Sequence, residues 1–482
     1  MRLGLISLGC DKNTVDSERM LAELIGHGAE RTDVDEAEVI LVNTCGFIDA
    51  AKEESIETIL EAERLKRDGA CRSVVAVGCM VERYREEMAE SLPEVDLLLG
   101  LRDLDRLVPE LRERGFLQGP ARAGGAHPGE RIPVGARHVR YLKVSEGCSH
   151  SCAFCAIPLW RGKHRSFDLE RVVAEAQRLE AQGAVEVNLV AQDLAHWGRE
   201  QRDGTDIATL VEALLHETSI PWFRLLYIYS AGLRDPLIEL MASETRLLSY
   251  IDMPIQHASD TVLRRMRRPE RAATLRARVA RLRETIPDLT LRTTVLVGFP
   301  GETDAEFREL VDFLDEVPFD RLGAFAFSPQ EGTRAAAMEE SFVPGDLARD
   351  RLEEVLEVQR AVSRERLAAE VGRERVAVVD APAASDEPTL ELLYEDPPGA
   401  AQLGRIESQA DDVDGVTVLV GGDGLAPGSL VRVEIQRAAD FDLAGRVREV
   451  VRRVSERGGA APSPALSGRG LPVLGLDSAW GR

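Results

Sequence analysis

Short apolar runs alternate with helical patterns along most of the chain, and few folds accommodate that rhythm. The first series has apolar runs at residues 2–8, 38–43, 73–78 and 95–99. Helical patterns follow the first three: residues 14–26, a stretch from Asp49 with Ile56, Ile59 and Leu60 on one face, and a stretch after Met80. Buried strands alternating with helices imply a parallel sheet. The second series has apolar runs at residues 139–145, 185–191, 223–229, 250–254, 291–297 and 322–327. Six strand–helix units predict a partial (βα)6 barrel of the TIM kind, with an open doubly wound sheet as the competitor. Its last helix opens with Thr303 and carries Glu306 three residues on, a capping box.

After a long amphipathic helix at residues 346–371 the rhythm changes. Strand signals at residues 376–379, 390–394, 416–420 and 430–436, separated by Gly and Pro, predict a small all-β barrel. The expected fold class is therefore α/β: an N-terminal parallel-sheet α/β domain, a central partial barrel and a C-terminal β-barrel. The expected boundaries are 1–117 for the first domain, 118–136 for a Gly/Pro-rich linker, 137–371 for the central barrel, 372–446 for the β-barrel and 447–482 for a disordered tail.

No run of eighteen apolar residues occurs, and the apolar N-terminus leads straight into Asp11-Lys12-Asn13, which reads as a strand and not as a signal peptide. A cytoplasmic protein with no membrane association is expected. The net charge of −23 opposes generic binding to nucleic acid. Seven cysteines, an odd number, argue against a disulfide framework and leave metal ligation, nucleophilic catalysis or inert thiols.

Three of the cysteines, Cys148, Cys152 and Cys155, form a C-x3-C-x2-C triplet directly after the first barrel strand. Short spacings let thiolates converge on one centre, and soft thiolates select zinc, copper(I) or iron–sulfur clusters. Three ligands instead of four leave one iron of a [4Fe–4S] cluster open. Phe154 is placed to shield such a cluster and its ligand. A structural zinc knuckle with His150 or His164 as fourth ligand is the competing reading.

Cys10, Cys45 and Cys79 are far apart in sequence, yet each lies at the C-terminal end of one of the first three strands. In a parallel sheet those ends share one edge, where ligands bind. A second three-thiolate site is expected there, with Gly9, Gly46 and Gly78 allowing close backbone approach. Small buried cysteines filling strand ends are the alternative. Cys71 precedes its strand and belongs at the opposite edge.

The triplet within Val144-Ser145-Glu146-Gly147-Cys148 resembles the radical SAM superfamily. The segments around Cys10, Cys45 and Cys79, notably Asn43-Thr44-Cys45-Gly46-Phe47-Ile48-Asp49, resemble the methylthiotransferases. The resemblance covers residues 1 to about 446 and implies an auxiliary-cluster domain, a radical SAM barrel and a TRAM barrel. Ala191-Gln192-Asp193, the phrase from Asp252 to Ser259, and Ala439-Asp440-Phe441-Asp442-Leu443 resemble the branch that modifies an aspartate of small-subunit ribosomal protein twelve, uS12 (RimO-like). The alternative branch modifies a tRNA adenosine (MiaB-like). Residues 373–446 hold about fifteen acidic and six basic side chains. An RNA-binding barrel should be basic, and an acidic one suits a basic ribosomal protein, so no stable tRNA binding is expected.

The resemblance also implies cofactors and roles: two [4Fe–4S] clusters on the two triads, and S-adenosylmethionine as both radical source and methyl donor. It implies a flavodoxin- or ferredoxin-type electron donor. Gln192 and Gln256, just past barrel strands, are expected to hydrogen-bond S-adenosylmethionine, Arg224 to pair with its carboxylate and Val297 to pack on its adenine. Readings from other classes are a thiol redox enzyme, for which Cys152 and Cys155 have the spacing, and a zinc-stabilised RNA-binding protein.

Overall fold

The computed structural model describes residues 1–118, 130–384, 386–395 and 400–454. Most of the expected linker and most of the expected tail, from residue 455 on, lie outside them.

In the first domain, β1 (Arg2–Ser7), β2 (Glu30–Arg31), β3 (Val39–Thr44), β4 (Ser73–Gly78) and β5 (Leu97–Leu99) form one parallel sheet in the order β2-β1-β3-β4-β5. Alternate residues feed two cores. Leu3, Leu5, Val39, Leu41, Val75 and Val77 pack on one side, and Ile40, Val42, Val74 and Ala76 on the other. Two-sided burial explains why these strands are continuous apolar runs. The strand order reverses between β1 and β3, and a ligand crevice opens at such a switch point, outside the carboxyl ends of the strands.

The central domain contains β6 (Val139–Lys143), a two-stranded ribbon of β7 (Ser145–Glu146) with β8 (Arg165–Ser166), then β9 (Glu186–Val190), β10 (Trp222–Leu225), β11 (Leu247–Asp252), β12 (Thr290–Val297) and β13 (Arg321–Ala326). The six long strands are parallel and lie in chain order, β6-β9-β10-β11-β12-β13. A doubly wound sheet would reverse that order once, so the partial barrel stands. One face packs on helices through a core that includes Leu142, Leu189, Leu225, Ile251 and Val295. The other face carries Tyr141, Trp222 and Tyr250 beside buried Arg224.

The C-terminal strands β14 (Glu374–Pro382), β15 (Ala401–Ile406), β16 (Thr417–Val420), β17 (Leu430–Ala438) and β18 (Leu443–Arg452) close into a barrel. Three expectations need correction. The run at 390–394 is no strand: Pro388 opens a helix, Pro388–Leu393, that turns Leu390 and Leu393 into the barrel. β15 escaped notice because Gln402, Gly404 and Arg405 interrupt its apolar residues. β18 runs six residues past the expected boundary at 446, since its exposed half is charged.

Buried ion pairs join the domains. Arg131, from the segment between the first two domains, reaches Glu18 at 2.5 Å and Glu175 at 2.9 Å. Glu18 also takes Arg140, and Glu175 takes Arg19. The third domain docks on the central sheet through Arg405 to Glu186 at 2.7 Å and Tyr250 to Asp414 at 2.8 Å.

Candidate active site

The loop carrying Cys148, Cys152 and Cys155 leaves β7 at the carboxyl end of the barrel and is pinned by backbone bonds. Cys148 N donates to Gly162 O at 3.1 Å, Ala153 N to Met266 O at 2.9 Å, and Cys155 N to Cys152 O at 3.3 Å. Burial pushes the Cys148 thiol up to about 11. It pushes Cys155 up to about 12, and the charges of Cys152 and Cys148 add to that shift.

The second triad sits at the switch point of the first sheet. Cys10 caps the helix Asp11–Gly26, Cys45 follows β3, and Cys79 opens the helix Cys79–Ser91. Burial first, then the charges of Cys10 and Cys79, push the Cys45 thiol up to about 12. Burial also raises Cys79, against the opposing pull of Arg161. Gly9 and Gly78 shape the cradle. Gly9 has φ +87°, and a Cβ there would lie 2.8 Å from Cys45 Cβ. Gly78 has φ +103°, and a Cβ there would lie 2.4 Å from Asn43 Oδ1. Cys71 stands apart, its thiol donating to Ser73 O.

Both sets of thiols therefore repel one another's ionised forms in buried surroundings. The raised thiol of Cys155 is a poor nucleophile, which opposes the thiol redox reading. A cation reverses the balance, because metal binding proceeds by deprotonating its thiols. Among the described residues no three His, Cys, Asp or Glu side chains close around a single-ion point. Three thiols on one loop, and three at neighbouring strand ends, are donor sets of the kind that hold iron–sulfur groups. His150 bonds Asp193 at 2.7 Å and stacks on Tyr229, while His164 pairs Nε2 with Ser166 at 3.3 Å and packs on His196.

The expected cofactor contacts divide. Phe154 sits half-buried with Val262, Met266, Phe299 and Leu296 beside the triplet. Gln192 donates to Glu146 at 3.2 Å, and its Oε1 is buried with no hydrogen-bond partner among the described residues. Gln256 holds a left-handed backbone, φ +68°, while its N–H and C=O pair with Thr294 and Leu296 of β12. Non-glycine residues tolerate that region only where the surroundings enforce it.

Arg224 is a correction. It is fully buried, and its three nitrogens go to Glu186 (2.9 Å), Glu407 O (2.9 Å) and Gln409 O (3.1 Å). It clamps the third domain and has no hand free for a carboxylate. Val297 is a second correction. Strand alternation turns Val297 with Val295 into the helix-side core, whereas Leu296 faces Phe154 and Phe327.

Several residues escaped the sequence reading. Ser145 Oγ, both amide atoms of Asn188 and Asp193 Oδ1 are buried without hydrogen-bond partners among the described residues, close in sequence to Gln192 on and beyond β7 and β9. Buried polar atoms are normally paired, so this set suits a ligand rich in amino, carboxylate and hydroxyl groups. A polar Asn inside an otherwise apolar strand was the available signal.

Comparison with known proteins follows these divisions. A model described as Uncharacterized protein family UPF0004 matches residues 2–100, the Radical SAM superfamily model matches 142–314, and the TRAM domain model matches 388–447. The ribosomal protein uS12 methylthiotransferase RimO of Desulforudis audaxviator (strain MP104C) is 44% identical over 451 residues, 92% of this chain and 97% of that protein. The chain belongs to the RimO family of radical SAM methylthiotransferases. The protein of the same name from Anaeromyxobacter sp. (strain Fw109-5) is 42% identical, with 98% of this chain and 99% of that protein covered. The radical S-adenosylmethionine methyltransferase TsrM from Kitasatospora setae superposes with a TM-score of 0.50 at 15% identity, over 69% of this chain and 76% of that one, a likeness of fold. The family implies S-adenosylmethionine and a [4Fe–4S] cluster. Among the described residues no helix is long and apolar enough to cross a membrane.

Proposed function

We propose that this methylthiotransferase attaches a methylthio group to the β-carbon of an aspartate in ribosomal protein uS12. The observation that carries the reading is the pair of thiol triads, buried or half-buried, each at the carboxyl edge of a parallel sheet and joined across one domain interface. Near full-length identity to proteins named for uS12 supports the substrate.

Cys148, Cys152 and Cys155 hold one [4Fe–4S] cluster and Cys10, Cys45 and Cys79 a second, each with one iron uncapped by protein. When bound, the first cluster and S-adenosylmethionine supply the carbon-centred radical chemistry, and the second supplies the sulfur to be transferred. The protein's own part is placement. Ser145, Asn188, Gln192 and Asp193 offer the unpaired polar atoms to S-adenosylmethionine, while Phe154 and Leu296 cover the cofactor from solvent. Gln256, in its left-handed backbone just past β11, is a further proposed partner of S-adenosylmethionine. A small acidic one-electron carrier of the flavodoxin or ferredoxin class is the proposed donor.

The acidity of the third domain counts for less than its composition suggests. Asp380, Asp411 and Asp414 are turned inward against His138, Tyr141 and Tyr250 of the central barrel. Glu374, Asp386, Glu391 and Asp423 remain exposed for a basic ribosomal protein. Mass spectrometry of uS12 and of tRNA from a deletion strain tests the substrate. Loss of the methylthio group from uS12 alone is expected, and loss from tRNA with uS12 intact overturns the reading.

A further inference from the structure

Arg161 lies six residues past Cys155, at the end of the short helix Ile157–Trp160, and its side chain is only 4% exposed. It does not stay with its own domain. Nη2 lies 3.2 Å from Cys79 Sγ and 2.7 Å from Asn13 Oδ1. Nη1 lies 2.9 Å from Glu146 and 3.4 Å from Asp16. Asn13 in turn donates to Leu8 O and Thr44 O, both at 3.1 Å, on the turns that carry Cys10 and Cys45. One guanidinium from the barrel thus touches one thiol of the second triad directly and reaches the other two turns through one amide.

Its charge is held in place. Glu146 and Asp16 fix one edge, and Lys143 pairs with the same two carboxylates, so the two cations and two anions balance. The edge aimed at Cys79 remains for the thiolate. Among the described residues the corresponding contact of the first triad is longer: Arg268 Nη1 stands 4.0 Å from Cys152 Sγ.

We propose that Arg161 is a positioning residue that completes the second triad from across the domain boundary, donating to the Cys79 thiolate and raising the reduction potential of the iron–sulfur group held there. This rests on the two-cluster reading above. A donor to a ligating sulfur stabilises the reduced, more negative cluster, and the effect is large where water is excluded. The same contact ties the segment that follows the first triad to the turns that carry the second.

The test uses the full chain with Cys148, Cys152 and Cys155 changed to alanine, so that only the second cluster remains. Its midpoint is read by redox titration followed by electron paramagnetic resonance. Arg161→Gln should lower the midpoint by at least one tenfold change in the oxidised-to-reduced ratio, about 59 mV for one electron, with Arg161→Lys in between. Equal midpoints for the parent and Arg161→Gln overturn the proposal. Should Arg161→Gln carry no iron, restored loading in Arg161→Lys supports it, and failure of both overturns it. Arginine labelled with nitrogen-15 gives a reading that needs no change at Arg161: a nitrogen hyperfine coupling to the reduced second cluster is expected, and its absence refutes the contact. Loss of all iron in the triple-alanine chain sinks the two-cluster reading and this inference with it, whereas iron with an indifferent midpoint sinks only the role of Arg161.

Discussion

The two cysteine triads reach the same arrangement by opposite routes. Cys148, Cys152 and Cys155 share one loop, so sequence spacing alone brings their thiols near one another, and backbone bonds to Gly162 and Met266 pin the loop. Cys10, Cys45 and Cys79 come from three separate strand ends and converge only when β1, β3 and β4 pair in register. The first site is written in spacing and the second in topology. The second also borrows Arg161 from another domain, so its integrity depends on an interface that the first does not need. A site assembled by topology should fail from many distant positions, and a site written in spacing from few.

The largest effects come from the thiols themselves. Cys152→Ala and Cys45→Ala should each abolish methylthio transfer. They should differ in a partial reaction: Cys45→Ala keeps reductive cleavage of S-adenosylmethionine, followed by chromatography of its products, and Cys152→Ala loses it. Equal loss of cleavage in both would erase the division of labour.

Next in size is the interface. Arg131→Met leaves Glu18 and Glu175 short of a buried cation, a loss of about 3–5 kcal/mol in a denaturant titration. Iron on the second triad should fall in this variant while iron on the first is retained, because only the second relies on the domain contact. Parallel loss from both would break the contrast.

Gly9→Ala is a smaller and more local probe. The positive φ and the approach to Cys45 should cost about 1–3 kcal/mol. The second triad should load poorly under anaerobic reconstitution, with the first unaffected.

The smallest effect belongs to the docked third domain and should leave both triads alone. Burial, partly offset by Arg405, raises the Asp411 carboxyl to about 7. A raised acid keeps its proton in the folded state, so stability falls as pH rises from the ordinary carboxylate range to about 7. Asp411→Asn removes that penalty. Its thermal midpoint should exceed the parent's at pH 8, and the gap should vanish near pH 4. A gap independent of pH would show that the Asp411 carboxyl titrates alike in the folded and unfolded chain.

The contrast also marks what could be read from sequence. The strands bearing the second triad are buried on both faces, so their apolar runs announced them, and the cysteines at their ends followed. The two-residue β2, Glu30–Arg31, gave no signal, yet it sets the strand order that places the switch point. Strand parity misplaced Val297, because one residue decides which face a side chain takes. Arg224 reads as a cationic candidate at the start of a barrel strand. Only tertiary pairing shows that Glu186 and two carbonyls of the third domain consume it. The bridge from Arg161 to Cys79 spans domains and has no sequence signature at all.

Iron and sulfide analysis of anaerobically purified protein, paired with Mössbauer spectroscopy, tests the central claim most directly. About eight irons and eight sulfides per chain are expected, falling to about four in Cys45→Ala and to about four in Cys152→Ala. About four irons in the unaltered chain, or zinc in their place, would contradict it.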